Sequence, residues 1–347
     1  MLNLIKGAVV AGAAVAALAA SVGVSQAQEV TLRMHTFIPP VANPSKTFLI
    51  PWAEKIGKDS GGRIKVQPFW SMQLGGKVPQ LLDQVRDGVV DIVWTLPGFT
   101  PGRMPEIEPF ELPFVHKDAL STTLALQDYQ AKHLGSALKS YQPLLLHVHD
   151  GFLFQTKSPI TKLSDLKGKK IRAASRGGVW LLEALGATGV GLPLPQIPQA
   201  LSKGVIDGVT LPYEIAPAVK TPDLVSHFSI LAGPQPRLGT NVFTFLMNKD
   251  SYEKLPPDLR KVIDDNSGGN IARAAGENWR RIEEPGRKVI ESKAKNKFYV
   301  IPAVEVAKMK AAAEPVFDRW YAEMKKIGID GPALVSDARK LIDKYSK

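Results

Sequence analysis

The chain contains no cysteine in 347 residues. That excludes thiol nucleophiles and the usual structural zinc sites, and it leaves an exported fold of this size to hold together by burial rather than by cross-links. After the first residues, no stretch approaches the ~18 uninterrupted apolar residues of a membrane helix. There is no Gly-x-Ser-x-Gly elbow, no Gly-x-x-x-x-Gly-Lys-(Ser/Thr) phosphate loop and no Gly-x-Gly-x-x-Gly fingerprint; Gly186, Gly189 and Gly191 cluster, but the last of these patterns fails at Leu194. The sequence does not read as an enzyme.

Acidic residues are also short, 33 Asp and Glu against 44 Lys and Arg, for a formal charge of +11. The basic residues are scattered among acidic ones rather than gathered into a stripe. That pattern argues for a general field that draws small anions, not for a nucleic-acid footprint. The start is a targeting segment: Lys6, an apolar run from Ala8 to Val24, then Ser25-Gln26-Ala27 with small residues where a signal peptidase reads. A signal peptide over 1–27 makes the mature protein periplasmic. About 320 residues then remain, enough for two domains.

The rest of the chain alternates strand and helix, the mark of parallel βαβ units. Glu29 to His35 opens as a strand, and Ser45 is placed to cap a helix carrying Phe48, Leu49, Trp52 and Ile56. Two passages echo one another. Gly88-Val89-Val90-Asp91 leads a strand to Thr95-Leu96-Pro97, and Gly204-Val205-Ile206-Asp207 leads one to Thr210-Leu211-Pro212. Each follows an apolar-periodic segment. The duplication predicts two similar α/β lobes with a cleft between them. Asp91 and Asp207, at matching strand starts, read as turn or cap residues rather than as a catalytic pair. His147 and His149 share a predicted strand face, but with no carboxylate or cysteine beside them they read as structural; no metal or cofactor is expected. Asn241 to Met247 is a further strand, returning to the first lobe, and Ala272 to Ile290 reads as a helix.

With these residues assembled, the chain resembles the substrate-binding proteins of TRAP transporters, the DctP-type periplasmic proteins. The blocks that carry the likeness are Met72-Gln73-Leu74-Gly75-Gly76, Gly88-Val89-Val90-Asp91-Ile92, Phe110-Glu111-Leu112-Pro113-Phe114, Leu166-Lys167-Gly168-Lys169-Lys170-Ile171-Arg172, Gly186-Ala187-Thr188, Ala200 to Gly208 and Met247-Asn248-Lys249. The resemblance implies a two-lobed periplasmic binding protein fold, with two mixed sheets flanked by helices and joined by crossing hinge strands and a long helix. Residues 28–150 with about 238–275 would form lobe I, and 151–237 with about 276–347 lobe II. The lobes would close on an organic acid and deliver it to membrane permease subunits; the chain is expected to be a monomer. An extracytoplasmic sensor subunit is the alternative role.

The same resemblance assigns the carboxylate of the ligand to Arg172, whose planar donors suit a bidentate pair. Two departures shape the expected ligand. Many members carry a second arginine where this chain has Gly151-Phe152-Leu153, and sialic-acid-type members carry asparagine where it has Leu211. Two polar contacts have become apolar, which disfavours a sugar acid or a C4 dicarboxylate. An aromatic or otherwise apolar-bodied monocarboxylate fits better, with an aliphatic keto or hydroxy acid or a dicarboxylate as the alternatives. Phe37, Trp94, Phe99, Phe152, Trp180 and Tyr213 are expected near the cleft, Thr95 offers a hydrogen bond, and Arg176 either adds a second donor or caps a turn. Glu214 would receive a ligand hydroxyl or a proton-bearing group, or pair with an arginine, the commoner arrangement.

Overall fold

A computed structural model of the chain describes residues 30–234 and 236–346. The expected signal segment, residues 1–27, lies outside the described residues. Eleven strands form two sheets. The first holds β1 (Val30–Thr36), β2 (Ile64–Phe69), β3 (Ile92–Thr95), β4 (Tyr141–Val148) and β10 (Val242–Asn248), in the order β2-β1-β3-β10-β4. The second holds β5 (Leu153–Thr156), β6 (Lys170–Ala173), β7 (Thr188–Gly191), β8 (Gly208–Leu211), β9 (His227–Leu231) and β11 (Lys297–Ile301), in the order β11-β9-β5-β8-β6-β7.

Each sheet is parallel but for one strand. β10 runs antiparallel to β3 and β4, and β5 runs antiparallel to β8 and β9. These are the two strands that the chain enters from the other lobe. β4 leaves the first sheet at its carboxyl edge and feeds β5; β9 leaves the second at its carboxyl edge and feeds β10. A strand entered there must run the opposite way. The two crossings touch as a short antiparallel bridge, where Phe152 N–H donates to Gly239 O at 2.9 Å and Leu238 N–H to Phe152 O at 3.3 Å. Gly151, at φ +95°, permits the tight approach: a Cβ there would lie 2.6 Å from the Arg237 side chain.

The repeated passages form matching units. α2 (Leu81–Arg86) and α5 (Ile197–Ser202) each end on a left-handed glycine, Gly88 and Gly204, before β3 and β8. Asp91 Oδ2 accepts from the Arg33 amide at 2.8 Å midway along β1, and Asp207 Oδ2 accepts from the Lys170 amide at 2.9 Å at the head of β6. Both aspartates thus tie the start of one parallel strand to its neighbour.

Of the remaining helices, α3 (Ala119–His133) covers the first sheet and α4 (Arg176–Ala184) packs on β6 and β7 in the second. Three details differ from expectation. Ser45 does not cap a helix; its hydroxyl donates to Pro39 O at 2.8 Å, in a wide turn before α1 (Ile50–Asp59). The helix expected over Ala272 to Ile290 is two, α6 (Gly269–Arg281) and α7 (Glu283–Glu291), broken at Ile282. Pro285 lacks the amide that would bond the Arg281 carbonyl and its ring crowds that carbonyl, so the helix restarts. The break redirects the chain from the first lobe, where α6 packs on α3 and β4, to the second, where Gly286 of α7 lies against the Tyr213–Glu214 backbone. Third, α8 (Ala303–Lys326) is the long helix and packs on α4, whereas α9 (Gly331–Tyr345) returns to α3 of the first lobe. Tyr345 hydroxyl and Lys344 reach Asp128 at 2.8 and 2.7 Å, and Lys132 and His133 reach Asp337. The segment 276–347 is therefore shared between lobes, because charges on α3 have their counterparts on α9.

One buried carboxyl sits where the lobes meet. Glu111 precedes the first crossing and accepts the Val242 amide at the head of β10 at 2.8 Å, while its backbone backs onto Gly177 of α4. Burial pushes its carboxyl up to about 7; the Glu108 charge adds to this, while the Val242 amide and the Ser175 and Asn241 side chains oppose it. A carboxyl raised in the folded state keeps its proton after the unfolded chain has released it. Its contribution to stability is whole below its ordinary value of 4.5 and is lost as pH rises to about 7. Glu111→Gln should therefore gain in melting temperature relative to the parent between those values, with a constant offset above pH 7. An offset that stays level across the range would contradict this account. Packing gives a second expectation. A Cβ on Gly286 would fall 2.2 Å from Tyr213 O, so Gly286→Ala should cost about 1–3 kcal/mol in chemical denaturation.

Candidate functional site

The carboxyl edges of β1, β3, β6 and β8 and the starting edge of β10 converge between the lobes on a cavity. Its walls include Phe37, Trp94, Leu96, Phe99, Arg172, Leu194, Leu211, Ile215 and Phe243. Ligands sit at such edges because the strands end there and the loops that follow carry the side chains.

Arg172 reaches the cavity from β6 and is only 2% exposed. Its Nε donates to Leu192 O at 2.7 Å, which fixes the plane of the guanidinium. Among the described residues no carboxylate pairs with it. Burial alone pushes the guanidinium down to about 9. It is still cationic at neutral pH, and a buried cation without a counter-ion costs several kcal/mol. The arrangement favours any anion that fits the space.

Aromatic faces make the opposite wall. Trp94 stacks on Phe37 at 5.5 Å and on Phe243 at 4.5 Å between ring centroids, with interplanar angles of 17° and 18°. Phe99 meets Phe37 edge-on at 5.3 Å. The stack is pinned from behind, where Trp94 Nε1–H donates to His147 Nε2 at 2.9 Å. His147 is therefore an acceptor at Nε2, and burial pushes it down to about 3.

The polar groups around the cavity divide into spent and unspent. Thr210 Oγ1–H donates to Arg172 O at 3.1 Å. His149 accepts the Gly151 amide on Nδ1 at 2.9 Å, which leaves its proton on Nε2 facing Asn241 Oδ1 at 3.5 Å. Asn241 Nδ2 in turn donates to Ser175 Oγ at 3.3 Å. With their nitrogens engaged in this way, His147 and His149 are not arranged as metal ligands. Among the described residues no group of three or more His, Asp or Glu side chains is placed to hold an ion.

Glu214 is the exception. Its backbone is held on both sides, the amide donating to Glu283 Oε1 at 3.0 Å and the carbonyl accepting from Asn43 Nδ2 of the first lobe at 2.9 Å. Its side chain is 3% exposed, lines the cavity, and leaves Oε2 buried without a hydrogen bond. No arginine pairs with it; Arg237 pairs instead with Glu283 at 3.2 Å. Burial, with the Glu283 charge behind it, pushes the Glu214 carboxyl well above the usual carboxylate range.

Of the residues singled out in the sequence, the structure brings Phe37, Trp94, Phe99, Arg172, Leu211 and Glu214 to the cavity. Five others lie elsewhere. Arg176 is bound to Glu108 at 2.5 Å, and Trp180 is sandwiched between Arg176 and Arg319 at 5.3 and 4.3 Å. Tyr213 lies under Arg237 at 5.2 Å, in the bed of α7. Phe152 joins the second-lobe core beside the hinge bridge. Thr95, one residue past Trp94, points to the other face of its sheet, as strand alternation requires. The same alternation was the unused signal for the residues missed. Leu96, Ala174, Thr210 and Pro212 sit two positions from, or alternate with, the wall residues on three strand ends, and Asn241 and Phe243 are spaced by two at the head of β10. Gln155 on β5 holds that wall in place by donating to Leu211 O and Pro212 O at 3.1 and 3.3 Å.

Residues 37–324 match the family model of the bacterial extracellular solute-binding proteins, family 7 (DctP). A marine metagenome TRAP solute binding protein specific for aromatic acid ligands, from an unidentified microbe, was solved with metahydroxyphenylacetate. It is 45% identical with a TM-score of 0.90, over 92% of this chain and 100% of its own. A TRAP solute binding protein from Rhodoferax ferrireducens, solved with copurified benzoate, is 44% identical with a TM-score of 0.89, over 91% and 98% of the two chains. The transporter protein TsaT of Comamonas testosteroni, described as an outer membrane protein, is 29% identical over 88% of this chain and 90% of its own. The matched span takes in every strand but β1, and the chain belongs to the DctP family of extracellular solute-binding proteins.

Proposed function

We propose that this protein is a periplasmic carrier that closes its lobes on an aromatic monocarboxylate and presents it to the permease subunits of a TRAP transporter. The observation that carries the reading is the Arg172 guanidinium, buried at the end of β6 with no protein carboxylate to neutralise it, facing a cavity walled by Phe37, Trp94, Phe99 and Phe243. One charge and an aromatic stack match one carboxylate on a flat apolar body. The aromatic acids held by the two solved relatives at 44–45% identity support the same class.

In this reading the ligand replaces no covalent chemistry and leaves unchanged. The protein acts as a monomer after loss of residues 1–27. Hinge motion about the crossings at His149–Phe152 and Leu238–Asn241 opens the cavity, and the ligand holds it shut by bridging Arg172 of the second lobe to the aromatic wall of the first. The permease then distinguishes the closed surface from the open one.

Calorimetric titration of the mature protein with benzoate tests this. Truncating one member of a buried, hydrogen-bonded charge pair costs about 2–5 kcal/mol, so Arg172→Ala should bind at least about 30-fold more weakly. Unchanged affinity in that variant would remove Arg172 from the site. A melting-temperature rise with C4 dicarboxylates or sugar acids, and none with benzoate, would overturn the ligand class.

A further inference from the structure

We propose that the Glu214 carboxyl is the second polar contact of the ligand, taking a hydroxyl or carbonyl oxygen carried on the body of the aromatic acid. This rests on the aromatic-acid reading above and narrows it to hydroxy- or keto-substituted members.

The argument is one of hydrogen-bond accounting. Five polar side chains line the cavity: His149, Arg172, Thr210, Glu214 and Asn241. The Thr210 hydroxyl proton goes to Arg172 O, and His149 and Asn241 bond Gly151 N, Ser175 Oγ and one another, so none of the three has a buried polar atom left unbonded, although the Thr210 oxygen can still accept. Arg172 has its terminal nitrogens left for a carboxylate. Glu214 remains, 3% exposed, with Oε2 sealed from solvent and unbonded. Buried polar atoms are nearly always satisfied, and one left unbonded on a side chain that lines the cavity points to a partner supplied by the ligand.

The chemistry of that atom follows from the surroundings. Glu283 lies behind Glu214 and contributes like charge, while the cation that could offset it, Arg237, is paired to Glu283. Lys and His⁺ are absent from the cavity walls, and His149 is held neutral by burial. Burial and the Glu283 charge push the Glu214 carboxyl well above the usual carboxylate range, which favours its protonated form. A protonated carboxyl offers one O–H donor and one carbonyl acceptor. A hydroxyl can use both and a keto oxygen the first. An unsubstituted ring uses neither and leaves the acid unpaired in an apolar cavity. Sites built to bond a hydroxyl discriminate strongly against the analogue that lacks it.

The test is calorimetric titration of the mature protein with benzoate, the three monohydroxybenzoates and benzoylformate. At least one oxygen-bearing ligand should bind about tenfold or more tightly than benzoate. Glu214→Leu should abolish that advantage, and Glu214→Gln, which keeps a donor and an acceptor, should retain part of it. A wild type with no preference, or a preference that survives Glu214→Leu, overturns the proposal. Loss of all binding, benzoate included, in the wild type would overturn the aromatic-acid reading as well; benzoate bound without preference overturns this one alone. Should Glu214→Leu fail to fold, difference infrared spectroscopy against Glu214→Gln decides. The protonated-carboxyl stretch should shift when the preferred oxygen-bearing ligand binds and stay still with benzoate; an equal response to both would sink the assignment.

Discussion

A guanidinium has been taken out of water at the end of β6 and given no anion by the protein. That choice is costly by several kcal/mol, and much of the surrounding structure serves to maintain it. The Leu192 carbonyl holds one edge of Arg172 and Thr210 braces its backbone. The neighbouring acids are committed to other partners, Glu108 to Arg176 and Trp320 and Glu283 to Arg237 and the Glu214 amide, and among the described residues no carboxylate pairs with Arg172. An anion arriving from solution therefore meets a charge that is already desolvated and already oriented, so little reorganisation is charged against binding.

The two-lobed architecture follows from how the chain crosses. Because β5 and β10 are each entered from the opposite lobe, they start at the edge where the parallel strands finish, and the ends of both sheets face one another. The crossings meet at the Phe152–Gly239 bridge, and the helix break at Ile282 carries the chain between the lobes a third time. Asn43 Nδ2 donates to Glu214 O and so links the two lobes directly.

How much of this could be read from the amino acids depended on distance along the chain. The two Gly-Val-x-Asp units and the strand ends are local patterns and were legible, whereas Arg172 and the apolar replacement at Leu211 were singled out through the family resemblance, and the structure brings both to the cavity. The fates of Arg176, Trp180 and Tyr213 were not, because the partners that hold them come from other elements: Glu108 for Arg176 and Arg319 for Trp180, 68 and 139 residues away, and for Tyr213 both Arg237 and α7, which arrives only after the proline break. An exposed-looking arginine beside a cleft is ambiguous until the acid that faces it is known. Phe152 and Thr95 failed for a simpler reason, since a shift of one residue along a strand exchanges cavity for core.

The division of polar groups explains why the site can be selective with so few of them. Trp94, Phe37 and Phe243 form a rigid stack whose only polar atom, the indole nitrogen, is turned away to His147. His149, Asn241 and Ser175 close a chain of hydrogen bonds among themselves. Every group satisfied internally is one that a wrong ligand cannot recruit, and each ligand atom placed against it gains only dispersion. In the proposed reading, recognition falls to Arg172, left without a carboxylate partner among the described residues, and to Glu214, whose carboxyl burial and Glu283 hold well above the usual carboxylate range. A cation at one point and a raised carboxyl at another of an otherwise apolar cavity would then set both the anchor and the direction in which the ligand lies.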